Sequence, residues 1–265
     1  MKKILALMLA LLVLLALASC KKDKAEDEED EEEAFDITVQ NTEMVCALDN
    51  DYADAFTYEY VGEEEVAIVS YSGSHTLHTI AVPATIDSRS VTVIADGAFN
   101  SASNVSAVTL PDSIHTIGAF AFNNCLNLKT INFPAALASV GDMAFASCIN
   151  LGTVTLPDSV TELGKAAFYG CKSLTNVTVS SAVTVLPETV FMNCENLVSV
   201  NWSAAGTEIG YAAFLDCAKL TTVNFPATLE TVGANAFSGC AALVAPKLAD
   251  TVVMGENAFY GTATN

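Results

Sequence analysis

Phenylalanine recurs at a fixed interval of 23 residues, at Phe99, Phe122, Phe145, Phe168, Phe191, Phe214 and Phe237, and Phe259 follows after 22. A period of this length, held without drift, restricts the chain to a stack of similar coils, because one coil cannot bury its own apolar edge. Cysteine keeps the same beat, three residues after each phenylalanine, at Cys125, Cys148, Cys171, Cys194, Cys217 and Cys240. A sequence spent on a repeating core has little left for a single catalytic pocket. It presents a long surface instead.

Residues 122–144 serve as the type coil. Residues 128–133 read as a short strand in which Ile131 and Phe133 point inward while Thr130 and Asn132 point outward. Pro134 ends it, since proline cannot donate to a ladder. Leu137 and Val140 turn a second apolar edge inward, and Gly141 marks a tight corner. The Ala-Phe-x-x-Cys piece is too short for an α-helix and reads as one helical or 3₁₀ turn. The first strand slot recurs as Val105, Leu128, Leu151, Leu174, Leu197, Leu220 and Leu243. The corner glycine recurs at 118, 141, 164, 210, 233 and 255, with Pro187 standing in its place once. At the far end Pro246 takes the core valine slot beside Lys247, a device that stops a sheet from pairing further.

Leu-x-x-Val-x-Leu-Pro, Ile-Gly and Ala-Phe-x-x-Cys at this period resemble the BspA-type leucine-rich repeats of bacterial surface proteins, over residues 80–265. The resemblance implies a β-rich solenoid, a right-handed array of about eight 23-residue coils with one short parallel strand each and 3₁₀ or turn segments between. It further implies an N-terminal β cap over 35–79. Residues 35–40 alternate like a strand, and 58–61 and 66–71 read as a hairpin across Gly62. The first coil carries five extra residues around Asp87 and Ser88. One departure matters: commoner leucine-rich repeats place an asparagine where this chain has Ser113, Ala136 and Ser159, so the turn carbonyls need other partners.

The chain opens like an exported protein. Lys2 and Lys3 precede an unbroken apolar run over 4–17, too short to span a bilayer comfortably. The run ends in Leu-Ala-Ser-Cys, which resembles a bacterial lipobox and implies a signal peptide over 1–19 and lipid attachment at Cys20; the bland alternative is an ordinary signal peptide containing a cysteine. Residues 21–33 hold nine acids and three lysines, a self-repelling block that reads as an extended stalk over 20–34. It is either a solvated spacer or, by resemblance, a surface-export signal. Net charge is −20, and residues 34–79 carry no Lys or Arg, so nucleic acid and anionic membrane are poor partners. The membrane is reached through the anchor at Cys20 alone.

Candidate chemistry is sparse. The ladder cysteines read as buried free thiols, with disulfides as the alternative, because stacked side chains point parallel rather than converging. No CxxC pair or histidine stands at metal spacing, and residues 49–54 lack the glycine and distal glutamate of a calcium loop. His75, His78 and His115 read as turn or surface groups. No phosphate loop, nucleophile elbow or metalloprotease motif occurs, so the expectation is a non-enzymatic protein without cofactor or metal. The outward strand positions Lys129, Thr130, Asn132, Thr153, Thr155, Thr175, Asn176, Thr178, Ser199, Asn201, Thr221, Thr222 and Asn224 form a neutral polar face. Threonine suits any solvated strand; the functional reading is a docking surface for protein or glycan. A competing surface carries Tyr169, Lys172, Tyr211 and Lys219. Asp-Ser-Ile at 112–114, Asp-Ser-Val at 158–160 and Asp-Thr-Val at 250–252 resemble O-glycosylation sites of exported proteins or are simple turns. The expectation is a monomeric lipoprotein of the outer membrane, exposed at the cell surface as an adhesin for host or bacterial proteins or glycans. The alternative is a non-catalytic envelope scaffold or accessory subunit facing the periplasm.

Overall fold

A coil of 23 residues closes only its turns by its own backbone hydrogen bonds, so the rest must go to the coils above and below. The computed structural model describes residues 42–46, 55–73, 78–202 and 205–263, all within one compact unit. The leader, Cys20, the acidic run, residues 35–40, residues 49–54, His75 and the side chains of Cys46 and His78 lie outside the described residues.

The first sheet stacks the strands read from the leucine pattern. It has two paired parts: His78–Ala81, Val105–Thr109 and Thr130–Ile131 pair in that order, and Thr153–Thr155, Asn176–Thr178, Ser199–Asn201 and Thr222–Val223 pair as a second part that continues the row. Pairing is parallel and keeps the repeat in register, so Val154 faces Val177, which faces Val200, which faces Val223. The sheet stops where Pro246 enters the slot, as the sequence implies.

Each coil holds a second strand, which corrects the expectation of one strand per coil. Arg89–Ile94, Thr116–Ile117, Ser139–Val140 and Glu162–Leu163 form one parallel row; Val185–Leu186, Glu208–Ile209, Thr231–Val232 and Val253–Met254 form another. Two residues suffice because the corner glycine extends the ladder: Gly141 N–H donates to the Ile117 carbonyl and Gly164 N–H to the Val140 carbonyl, both at 2.8 Å. The row breaks between Glu162–Leu163 and Val185–Leu186. Pro187 occupies the corner there and has no N–H to give the Leu163 carbonyl, so the physical cause of the break is a single residue.

The third side differs from the single helical turn expected. The described residues contain no helix. The Ala-Phe-x-x-Cys segments are chained turns with two residues per coil in the left-handed region, such as Phe120 and Asn124 at φ 57° and 60°, or Ala166 and Gly170 at 53° and 67°. For a residue with a side chain this conformation costs about 1–2 kcal/mol. Its return is direction. Every second N–H points to the next coil: Phe120, Phe122 and Asn124 donate to the carbonyls of Asp142, Ala144 and Ala146 at 2.7–2.8 Å.

The core runs the length of the stack. Phe122, Phe145, Phe168, Phe191 and Phe214 are fully buried, their rings stacked at 5.2–5.7 Å. The leucine slot is buried from Val105 to Leu243. Trp202 replaces a smaller residue in the third slot; its indole N–H reaches the Val183 carbonyl at 2.9 Å, and Gly206 leaves room for the ring.

The expected hairpin closes the N-terminal end. Ala55–Val61 and Glu65–Tyr71 pair antiparallel, and Glu65–Tyr71 joins the second sheet beside Arg89–Ile94. Tyr71 stacks on Phe99 at 5.2 Å, Phe56 meets the same ring edge-on, and Tyr71 N–H donates to the Ala98 carbonyl. The extra residues of the first coil form a small hairpin, Thr85–Ile86 against Arg89–Ile94. Its two turn residues, Asp87 and Ser88, both have positive φ, the geometry of a two-residue turn that follows strand twist. Tyr58 and Tyr60 hydroxyls donate to Asp87, and these bonds hold its carboxyl below the ordinary range.

Candidate functional site

The outward positions of the first sheet fall in files, because the register repeats every coil. Thr153, Asn176, Ser199 and Thr222 make one file; Thr155, Thr178 and Asn201 make the next. Neighbours within a file stand about 4.8 Å apart, the spacing of paired strands. All thirteen residues named from the sequence point away from the core, ten exposed and three half-buried.

Their hydrogen bonds divide them into two groups. Asn132 spends both amide groups on the backbone of Leu110, at 2.6 and 2.8 Å, and so substitutes for a missing ladder step. Ser199 donates to Asn176, Asn224 to Asn201, and Thr175 and Thr221 to the carbonyls of Gly152 and Val198. These groups stiffen the face. Lys129, Thr130, Thr153, Thr155 and Thr178 have no side-chain hydrogen bond to another described residue. They form a patch of available donors and acceptors where the two paired parts of the row meet. It is flat and lacks aromatic side chains, a shape suited to a broad macromolecular contact rather than to an enclosed small ligand.

The competing surface is more self-paired. Lys172 meets Glu195 at 2.8 Å, Lys219 meets Asn196 at 2.7 Å, and Tyr169 accepts a bond from Asn193. Tyr211 is exposed.

Two ladders answer the question of the turn carbonyls. Ser113 and Ser159 donate to the carbonyls of Val91 and Leu137 at 2.6 Å, taking up the task of the absent asparagine. A glycan on either hydroxyl would break that bond. Sequence reasoning missed the second ladder. Asn127, Asn150 and Asn196 each donate to a carbonyl 24 residues earlier at 2.7 Å. Its signal was present as Asn-Leu at the start of three strand slots, at 127–128, 150–151 and 196–197.

The cysteine ladder consists of buried free thiols. Each sulfur donates to the phenylalanine carbonyl of the preceding coil at 3.1–3.2 Å, for example Cys171 to Phe145. Each thiol thus spends its hydrogen on a backbone carbonyl. Burial pushes the Cys171 thiol up to about 12 and the Cys194 and Cys217 thiols well above the ordinary 9.0. Such thiols are poor nucleophiles and poor metal ligands. Raised values in the folded state mean that the unfolded chain ionises first as pH rises. Stability should therefore be whole below pH 9 and fall between pH 9 and 12, by about 1.4 kcal/mol per pH unit from Cys171, with Cys194 and Cys217 acting in the same direction. Urea unfolding at pH 8 and at pH 10.5 measures this; equal midpoints would show that the ladder is not buried. His115 lies 3.7 Å from Glu65 and bonds Thr116, both at the surface.

Stacked coils with a leucine row, a short parallel sheet and a polar outward face define a leucine-rich repeat protein. The chain matches the BspA type leucine rich repeat region in six copies, over residues 70–198 and 186–265, and it belongs to that family. Among solved structures, a leucine-rich repeat protein of T. pallidum aligns at 27% identity and TM-score 0.52, covering 62% of this chain and 87% of that one. A leucine-rich repeat protein of Bacteroides ovatus aligns at 21% identity and TM-score 0.57, covering 79% and 70%, a likeness of fold alone. No curated protein matches the chain. Membership in this family points to a protein-interaction or surface module; leucine-rich repeat scaffolds are in general non-catalytic.

Proposed function

We propose that this protein is a lipid-anchored binding module of the bacterial cell surface, held by Cys20 on an acidic stalk over 20–34, that docks a protein or glycan on its first sheet. The observation that carries this reading is the patch of Lys129, Thr130, Thr153, Thr155 and Thr178, exposed or half-buried and without side-chain partners among the described residues. A stiff polar lattice supports it from both sides. Binding there costs little ordering of the protein, since Asn132, Asn176 and Asn201 are already fixed. The protein acts without catalysis, cofactor or metal, and as a monomer.

Protease treatment of intact cells, followed by immunoblot of the solenoid beside a periplasmic control, tests the address. Loss of the solenoid alone is the expected result. Protection until lysis would overturn the surface reading and favour a scaffold facing the periplasm. Replacing Cys20 with alanine should release the protein from the membrane fraction. Matrix proteins and glycans then test the face: Thr153→Lys with Thr155→Lys should weaken any ligand found by at least about 10-fold, since a bad central contact costs 1.4 kcal/mol or more. Unchanged binding would move the site to another surface.

A further inference from the structure

One joint inside the stack lacks the ladder bonds of its second side. At the joints around it, two successive N–H groups share one carbonyl of the preceding coil, as Thr161 and Glu162 do with Ala138, and Thr207 and Glu208 with Thr184, at 2.7–3.4 Å. A corner glycine then donates to the carbonyl two residues further on, Gly164 to Val140 and Gly210 to Leu186, both at 2.8 Å. Between Glu162–Leu163 and Val185–Leu186 none of these bonds forms. The N–H groups of Thr184 and Val185 have no partner among the described residues, and Pro187 has no N–H to give. The facing carbonyls of Thr161 and Leu163 accept nothing from the described residues. Thr161, Glu162, Thr184 and Val185 are exposed, so water reaches both lips of the gap.

The same joint is wide, and charge bridges it. Phe168 and Phe191 meet across it at 5.7 Å, the largest ring spacing in a ladder that otherwise runs from 4.8 to 5.5 Å. Both Lys–Glu ion pairs among the described residues cross this joint, Lys165 to Glu188 at 3.1 Å and Lys172 to Glu195 at 2.8 Å. On the other flank of the gap Asp158 accepts from the N–H and the hydroxyl of Ser181, at 3.2 and 2.8 Å. All four side chains of the ion pairs are more than half exposed, so dissolved salt screens them. The first sheet is unbroken here: Thr153–Thr155 pairs with Asn176–Thr178 along its whole length.

We propose that this joint is a hinge built into the solenoid, with ionic strength as its effector. The coils on either side stay intact and swing apart on the second side, about an axis along the paired strands Thr153–Thr155 and Asn176–Thr178. The turn-side bonds of Ala166 and Phe168 to Glu188 and Val190 adjoin the gap, so they stretch first as it opens. The two ion pairs hold the closed state, and salt weakens them. One exposed pair contributes little by itself. Here two pairs and the Asp158 carboxylate stand where backbone bonds are missing, so a small change in them shifts the balance between closed and open. Opening changes the angle between the coils before and after the joint. It thereby changes the curvature of the outward face, which carries Thr155 on one side of the joint and Thr178 on the other. The hinge needs no ligand and does not depend on the function proposed above.

Amide hydrogen exchange of the ¹⁵N-labelled protein, followed by NMR, tests the hinge. Thr184 and Val185 should exchange at least about 100-fold faster than Thr207 and Glu208, their counterparts one coil on. Ala166 and Phe168 should exchange at least about 10-fold faster than Met143 and Phe145, which make the same bonds across the preceding joint. Raising sodium chloride from about 0.05 M to about 0.5 M should widen that second ratio about 3-fold or more. Lys165→Gln with Lys172→Gln should widen it as much at low salt and remove the response to salt. Folded Pro187→Gly returns a donor to the Leu163 carbonyl and should slow Thr184 and Val185 by about 10-fold or more. Four results would each overturn the proposal. Thr184 and Val185 are as protected as Thr207 and Glu208, Ala166 and Phe168 exchange no faster than Met143 and Phe145, the ratio ignores salt, or it responds to salt equally without the two lysines.

Discussion

Phe168→Ala should destabilise the protein by about 3–5 kcal/mol, the cost of deleting a fully buried aromatic from a core that cannot collapse. The ring has no exposed surface and stacks on Phe145 at 5.3 Å and on Phe191 at 5.7 Å. Its loss leaves a void bounded by two rigid coils, each held by three turn-side bonds. The contrast lies at the end of the same ladder. Phe259 is half-buried and has one stacked ring neighbour in the ladder, so Phe259→Ala should cost about 1–2 kcal/mol, less than half as much. Urea unfolding of both variants measures the difference. Equal losses would mean that neighbour contacts do not set stability here, contrary to the nearest-neighbour behaviour of stacked repeats.

Gly164→Ala should cost about 3 kcal/mol or more for a single added methyl. A Cβ at this corner would lie 2.3 Å from the backbone of Gly141 and Asp142. Backbone cannot swing aside as a side chain can, so the coils must separate, and overpacking of this kind sits at or above the usual range. Gly152 is the control. A Cβ there meets nothing within 4 Å, so Gly152→Ala should change stability by less than about 1 kcal/mol and in the favourable direction. Thermal melts of the pair are sufficient; a wild-type melt for Gly164→Ala would show that the corners tolerate wider spacing than they have. Pro187 offers a natural comparison, since the second sheet breaks where it takes the place of a corner glycine.

The two substitutions differ in how far the sequence anticipates them. Phe168 declares itself through its period, since no other arrangement buries a phenylalanine every 23 residues. The corner glycine is visible as a turn residue, but its severity is not. It arises from contact between residues 23 apart that meet as backbone atoms. The second sheet was hidden for a related reason. Two residues such as Ser139–Val140 carry too little alternation to read as a strand, and they become one when the neighbouring coil supplies the ladder. The candidate face was legible in its placement, since each of its thirteen residues points outward. Its division was not. Asn132 and Thr153 look equally free in sequence, yet Asn132 is bonded to Leu110 while Thr153 has no side-chain partner among the described residues.

The sequence by itself determined the solenoid, its period, the residues of its core and the aspect of each strand, because a strict repeat leaves one way to bury its apolar positions. The tertiary structure decided where backbone bonds run between coils. It turned the thiols of Cys125 to Cys240 toward phenylalanine carbonyls, broke the second sheet at Pro187, and closed the N-terminal end with Tyr71. The physical reason is distance along the chain. Composition and pattern fix what is apolar, but a hydrogen bond between residues 22 to 26 apart exists only once the coils are stacked.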